Sequence, residues 1–276
     1  MTINCLGQLI DLSSPKVMGI LNITPDSFYD GNRYNSDKLI LAQVEKMLRD
    51  GATFIDLGAY SSRPKAAEIS EPEEESRLLP VLQLILAHFP DALLSIDTFR
   101  STVAQKSLNL GAAMINDISA STVDEKMMDV VAAHQVPYVM MHTRGTPQTM
   151  STLTQYDAIV KEMLFYFSEK VAKARSLGIN DLIIDPGFGF AKTLDQNYEV
   201  LQKLDLFQNL DLPILAGISR KSMVYKVLNS SAEEALNGTT ALHMIALMKG
   251  ASILRVHDVK EAQECIQLYD AFSNLK

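Results

Sequence analysis

Residues 93–117, LLSIDTFRSTVAQKSLNLGAAMIND, decide how the rest of the chain is read. The short apolar run Leu93–Ile96 ends at an acid, Asp97, and after a brief turn Ser101–Leu110 reads as a helix that Gly111 stops. A second apolar run, Ala113–Ile115, then ends at Asn116. Strand, helix and strand in so few residues imply parallel pairing, and purely parallel strands read as continuous apolar runs rather than alternating ones.

Working outward, the same unit recurs. Eight apolar runs end in a polar residue before a helix-like stretch: at Asn22, Asp56, Asp97, Asn116, His142, Asp185, Ser219 and the Arg255-Val256-His257 segment. Strands are predicted over residues 17–21, 54–57, 93–96, 113–115, 138–141, 182–184, 214–218 and 252–256. Eight such units favour closure into an α/β (β/α)₈ TIM barrel, with a doubly wound open sheet as the alternative. The chain of 276 residues suits one barrel of about 250, and no composition shift divides it. A single domain over 1–276 is expected, with long loops after the first, second and fifth strands. Asp37 is the predicted cap of the first helix, and the acidic run Glu73-Glu74-Glu75 reads as a solvated helix start.

Bulk properties exclude several classes. A net charge of −8 argues against nonspecific nucleic-acid binding, which needs clustered Lys and Arg. A few cations converging in one cleft still suffice for an anionic small ligand. Cys5 and Cys265 are the only cysteines, so no disulfide framework or Cys-based zinc site is expected. No apolar stretch approaches the roughly 18 residues of a membrane span, and no signal peptide is apparent. A cytoplasmic protein is the expectation.

In a (β/α)₈ barrel the active site forms at the C-terminal strand ends. Asp56, Asp97, Asp185, Arg255, His257, Asn22, Asn116 and Lys221 would all meet there, and interior charges are costly unless paired or ligand-bound. Such a set suits a polar ligand with hydrogen-bonding edges and a negative group. Asp56 or Asp117 alone reads as structural. Ser219-Arg220-Lys221-Ser222 lies where a strand turns into a helix, whose N-terminal N–H groups attract anions. The loop DPGFGFAK (185–192) is glycine-rich without being a phosphate loop, and Phe188 or Phe190 would wall a flat ligand. No Ser, Cys or His-based catalytic motif is found.

The motifs NITPDSFYDG, SSRP, SIDTFR, INDIS, MMHTRGTPQTM, DPGFGF, GISRKS and RVHD occur in order over nearly the whole chain. Together they resemble the bacterial dihydropteroate synthases, a family of the pterin-binding barrel superfamily. The resemblance implies transfer of the pterin-methyl group of 6-hydroxymethyl-7,8-dihydropterin diphosphate to p-aminobenzoate, with Mg²⁺ and a homodimeric assembly. Carried over by position, it assigns pterin binding to Asp97, Asn116, Met141, Asp185, Phe190 and Lys221. Asn22, Arg63, Arg255 and His257 would hold the diphosphate, with Asn22 as metal ligand, and these four with Lys221 form the implied catalytic set. Ser62, Arg220 and Ser222 would frame the aminobenzoate. The chain departs from the family at Ala59, Tyr60, Ser62 and Lys65 in the second loop and at Ala191, where glycine is common. Two rival readings, a non-catalytic paralogue and a pterin-dependent methyltransferase, fit poorly with the retained Arg63, Arg255 and His257.

Overall fold

The computed structural model describes residues 1–23, 33–60, 68–146 and 148–273, with no side-chain description for residues 33–35 and 151. The chain opens with a two-stranded antiparallel hairpin, β1 (Thr2–Cys5) and β2 (Gln8–Asp11). Its turn places Leu6 and Gly7 both at positive φ (54° and 89°), the pairing that suits the right-handed twist of a hairpin.

Eight further strands run parallel: β3 (Lys16–Asn22), β4 (Phe54–Gly58), β5 (Leu93–Asp97), β6 (Met114–Asp117), β7 (Tyr138–Met141), β8 (Leu182–Asp185), β9 (Leu215–Ala216) and β10 (Ile253–Val256). Their order is β8-β7-β6-β5-β4-β3-β10-β9. The two ends meet where Ile214, just before β9, bridges Ile184 of β8 in parallel, and Ile184 N donates to Pro213 O at 3.0 Å. The sheet therefore closes into a barrel, and the open-sheet alternative is set aside.

Around it lie α1 (Arg33–Arg49), α2 (Glu71–His88), α3 (Ser101–Asn109), α4 (Met127–His134), α5 (Ile159–Ser176), α6 (Leu194–Gln202), the single turn α7 (Ser222–Tyr225), α8 (Leu236–Met248) and α9 (Val259–Ser273). Ser70 caps α2 through Glu73 N, and Thr193 with Gln196 forms a full capping box on α6.

Successive strand residues face opposite sides. In β4, Ile55 and Leu57 join the large core beneath the helices, whereas Phe54 faces the barrel interior. There it packs with Met18, Met114, Val139, Ile183, Leu215 and Ile253, and the hairpin adds Ile3, Cys5, Ile10 and Leu12 to the same cluster. The hairpin thus plugs the barrel from its N-terminal end. Asp56, two residues after Phe54, occupies the same interior file one layer nearer the C-terminal mouth.

Several local expectations change. The opening hairpin adds two strands to the eight predicted, and the Ile3-x-Cys5 alternation with a Gly-containing turn is its sequence signal. α1 begins at Arg33, so Asp37 lies within it rather than capping it. Asp124 serves two helices at once, its Oδ2 accepting from Ser101 N at 2.7 Å at the start of α3 and its Oδ1 from Lys126 N at 3.1 Å just before α4. β9 shrinks to two residues as the chain leaves the sheet at Gly217. The acidic start of α2 is not wholly solvated, since Glu74 is buried and accepts from Thr98 Oγ1 at 2.7 Å and Arg100 Nη1 at 2.6 Å.

The plugged interior sets an expectation for stability. Phe54→Ala should cost about 3–5 kcal/mol by denaturant unfolding, whereas Leu9→Ala, on the 70% exposed face of the hairpin, should stay within about 0.5 kcal/mol.

Candidate functional site

The strand ends converge as their spacing requires. Asp97 closes β5, Met141 closes β7, Asp185 closes β8, Asn116 is penultimate in β6, and Arg255 is penultimate in β10. With Phe190, Ile118, Gly217 and Lys221 they line one cavity. All six residues expected to read the pterin are among them.

Arg255 organises the floor. Its Nε donates to Asp56 Oδ2 at 2.6 Å and its Nη2 to Asp97 Oδ2 at 2.7 Å, while Asn116 Nδ2 donates to Asp56 Oδ2 at 2.9 Å. Burial works against the guanidinium charge, yet Asp56 and Asp97 raise its pKa above the ordinary arginine value. Burial pushes the Asp97 carboxyl up to about 7, with Arg255 opposing and Asp56 adding to the rise. Asp56, left without a role by the sequence, is wholly buried and holds two pocket side chains in place.

Asp185 and Lys221 line the cavity beside Gly217 and act on each other through their charges. Asp185 Oδ1 accepts from Gly187 N at 2.7 Å. Burial raises the Asp185 pKa, and Lys221 counters it. Burial lowers the Lys221 amine to about 8, with Asp185 pulling it back up. Lys221 Nζ donates to Phe188 O at 2.5 Å and stands 4.6 Å from the Phe190 ring centre. A Cβ at Gly217 would sit 3.6 Å from Lys221 Nζ and 3.8 Å from Asp185 Oδ2, inside the space a ligand edge would use.

The cavity therefore offers carboxylates that accept N–H groups, an amine and a carboxamide that donate, and apolar walls at Ile118, Met141 and Phe190. Such a lining suits a flat heterocycle with donors along one edge and a carbonyl beside them.

Around the rim the sequence expectations separate. His257 is exposed, its Nδ1 lies 3.2 Å from Ser219 Oγ, and its backbone N donates to the same hydroxyl at 3.2 Å. Ser222 begins α7, half-buried beside Lys221. Arg220 is spent on a clamp: Nε and Nη2 grip Asp258 at 2.8 and 2.9 Å, and Nη1 donates to the carbonyls of Ala232 and Glu233. Those bonds hold Arg220 at φ 53°. The clamp ties the loop after β9 to the residue following His257, so the guanidinium shapes the rim without lining the cavity. Ser62, Arg63, Lys65 and the stretch Thr24–Tyr29 lie outside the described residues.

Two further groups carried no usable sequence signal, because their partners are distant in the chain. Arg100 joins buried Glu74, donates to Ile69 O at 2.7 Å, and lies over the rings of Tyr60 and Phe99 at 5.5 and 5.3 Å. Tyr60, one of the departures from the family pattern, is buried and accepts from Gln148 Nε2 at 3.0 Å, joining the second loop to the fifth.

With this geometry in place, the comparisons are specific. The family model described as pterin binding enzyme matches residues 18–257. The dihydropteroate synthase of Escherichia coli (strain K12) is 42% identical over 272 residues, 98% of this chain and 96% of that one. That of Bacillus subtilis (strain 168) is 41% identical over 260 residues, 94% and 88% of the two chains. Among solved structures, the Yersinia pestis dihydropteroate synthase with a sulfonamide drug matches with a TM-score of 0.92 at 40% identity over 99% of both chains. The Xanthomonas albilineans enzyme with 4-aminobenzoic acid gives 0.92 at 34% identity, over 100% of this chain and 99% of that one.

The electrostatics of the wall can be measured directly. NMR titration of Lys221 in the free protein should give a midpoint near 8. Asp185→Asn should move it lower, because the carboxylate is the main influence holding the amine charged against burial.

Proposed function

The chain belongs to the pterin-binding enzyme family, and we propose that it works as a dihydropteroate synthase through the cavity at the barrel mouth. It is a transferase that condenses 6-hydroxymethyl-7,8-dihydropterin diphosphate with p-aminobenzoate, giving 7,8-dihydropteroate and diphosphate in folate biosynthesis. The observation that carries the site assignment is the convergence of Asp97, Asn116, Asp185 and Lys221 on one cavity walled by Met141 and Phe190.

Asp185 accepts from the amino-pyrimidine edge, and Lys221 donates to its carbonyl. Asp97 and Asn116, held by Arg255 and Asp56, read the remaining ring donors and acceptors. The diphosphate leaves toward the rim, where His257 joins Asn22 and Arg63 in balancing its charge and Arg255 adds its positive field from the floor. The C–O bond to diphosphate breaks first, and the electron-rich dihydropterin stabilises the resulting cation. The neutral aryl amine of p-aminobenzoate then attacks that carbon and loses its proton. No dedicated general base is required, and catalysis rests on preorganised charge. Ser62 and Ser222 frame the aminobenzoate, whose carboxylate meets the N–H groups at the start of α7, and Arg220 holds that rim in shape.

Magnesium suits this donor set. Among the described residues no three His, Cys, Asp or Glu cluster as a metal cage. Asn22 ends β3 half-buried and makes no side-chain hydrogen bond to a described residue, leaving its carboxamide oxygen as a donor. One such oxygen is what an ion drawing its other ligands from diphosphate and water asks of a protein. When bound, it supplies charge neutralisation to the departing diphosphate. No helix among the described residues is long and apolar enough to cross a membrane. The functional unit is read as one barrel over 1–276, working in the cytoplasm as a homodimer.

Purified protein should release diphosphate only when both substrates and magnesium are present, and EDTA should abolish release. Pterin turnover without diphosphate release would overturn the assignment. Asp185→Ala should lower kcat/KM by roughly 10–100-fold, the worth of one or two charged hydrogen bonds. Ser62→Thr should change the KM for p-aminobenzoate and leave that for the pterin unaltered.

A further inference from the structure

The loop from Asp185 to Lys192 follows β8, contributes Asp185 and Phe190 to the pocket lining, and turns back so that its last residue bonds within the turn. Lys192 is 9% exposed, and its Nζ donates to Gly187 O at 3.0 Å and Phe190 O at 3.1 Å and lies 3.3 Å from His142 Nδ1. Burial lowers the Lys192 amine to about 7, with Asp185 opposing the fall and Lys221 and Arg144 adding to it. In its charged form the amine has three N–H groups and no lone pair, and these three acceptors use it completely, with His142 Nδ1 accepting and the ring proton on Nε2. Burial, with Lys192 and Arg144 adding to it, lowers the His142 pKa to about 2, which keeps the ring neutral and able to accept.

The rest of the turn is equally determined. Gly187 N donates to Asp185 Oδ1, and Phe190 N donates to Gly187 O at 3.1 Å. Gly187 has φ 68°, and a Cβ there would fall 2.2 Å from His142 O, so the backbone packs directly on the strand end that carries His142. His142 N donates in turn to Asp185 O at 2.9 Å. Lys192 thus grips both ends of the segment 187–190, while the Phe190 ring stands against the Lys221 amine.

We propose that Lys192, seated on His142, is a positioning residue for the reaction: its three hydrogen bonds set the Phe190 wall against which the pterin is bound. The inference rests on the pterin reading of the cavity given above. A methionine would fill the volume of the lysine stem but leave the Phe190 carbonyl and His142 Nδ1 without their donor, and leave Gly187 O with the Phe190 N–H alone.

The test is a double-mutant cycle read by calorimetric titration with 6-hydroxymethyl-7,8-dihydropterin diphosphate and magnesium, without p-aminobenzoate. Lys192→Met should weaken binding about 10-fold, and Phe190→Ala by a similar factor. The double variant should lose no more than Phe190→Ala alone, because Lys192 acts through that ring. His142→Asn, which keeps a side-chain acceptor, should bind more tightly than His142→Leu. Multiplicative losses in the double variant, or unchanged binding by folded Lys192→Met, overturn the proposal. Should Lys192→Met not fold, His142→Leu replaces it in the cycle, and the same multiplicative result counts against it. Because the readout is binding, a wild-type protein that binds the pterin without turning it over would refute the assigned reaction while this cycle still decides the role of Lys192.

Discussion

The guanidinium of Arg255, held between Asp56 and Asp97 inside the barrel, is the interaction on which the site depends. Three carboxylates, Asp56, Asp97 and Asp185, stand near one another where little water reaches. Isolated ionised carboxylates cannot remain in such a place. Arg255 answers two of them and Lys221 the third, which leaves the pocket charged yet compatible with a folded interior. The pairing also fixes orientation, since the Asp56 oxygen that holds Arg255 also receives the Asn116 amide. Removing one partner of such a set leaves the other buried and uncompensated, which is far costlier than the pair is stabilising.

That charged layer needs a dry floor. The N-terminal hairpin and the interior residues around Phe54 fill the barrel below Asp56, so the field of the pocket groups is not dissipated by water from the other end. The reaction assigned to the cavity makes the same demand. Diphosphate departure separates charge, and the aryl amine that follows needs no proton removed beforehand, so fixed cations and dipoles matter more than a proton carrier. The absence of any recognisable catalytic dyad and the abundance of paired charges have one explanation.

The loop 185–192 shows how backbone geometry serves this layer. Gly187 and Gly189 take positive φ, which lets the chain pass close to His142 and the Lys221 stem. Ala191 also sits at positive φ (47°), a conformation that costs a non-glycine residue roughly 1–2 kcal/mol. Its carbonyl accepts from Tyr156 OH at 3.0 Å, one of the contacts that hold it there. Glycine, common at this position in the family, would take up that conformation without the penalty.

The repeat of apolar runs ending in Asn, Asp or Arg already contained the barrel and most of its pocket. A parallel strand buried on both faces must be apolar along its length, and a charge at its end must have a purpose. Asp97, Asn116, Asp185 and Arg255 were legible for that reason. What escaped were relations between distant residues. Asp56 reads as structural, and its partner Arg255, 199 positions away, shows which structure it holds; the ion pair of Arg220 with Asp258, 38 positions further on, has no local signal. Glu74 read as a solvated charge until Arg100 and Thr98 were brought against it. Local pattern determined which elements form and which residues stand at their ends, because periodicity and strand polarity are properties of neighbours in the chain. Only the closed barrel decided which charges pair with each other and which remain for a ligand, because pairing depends on distance in space.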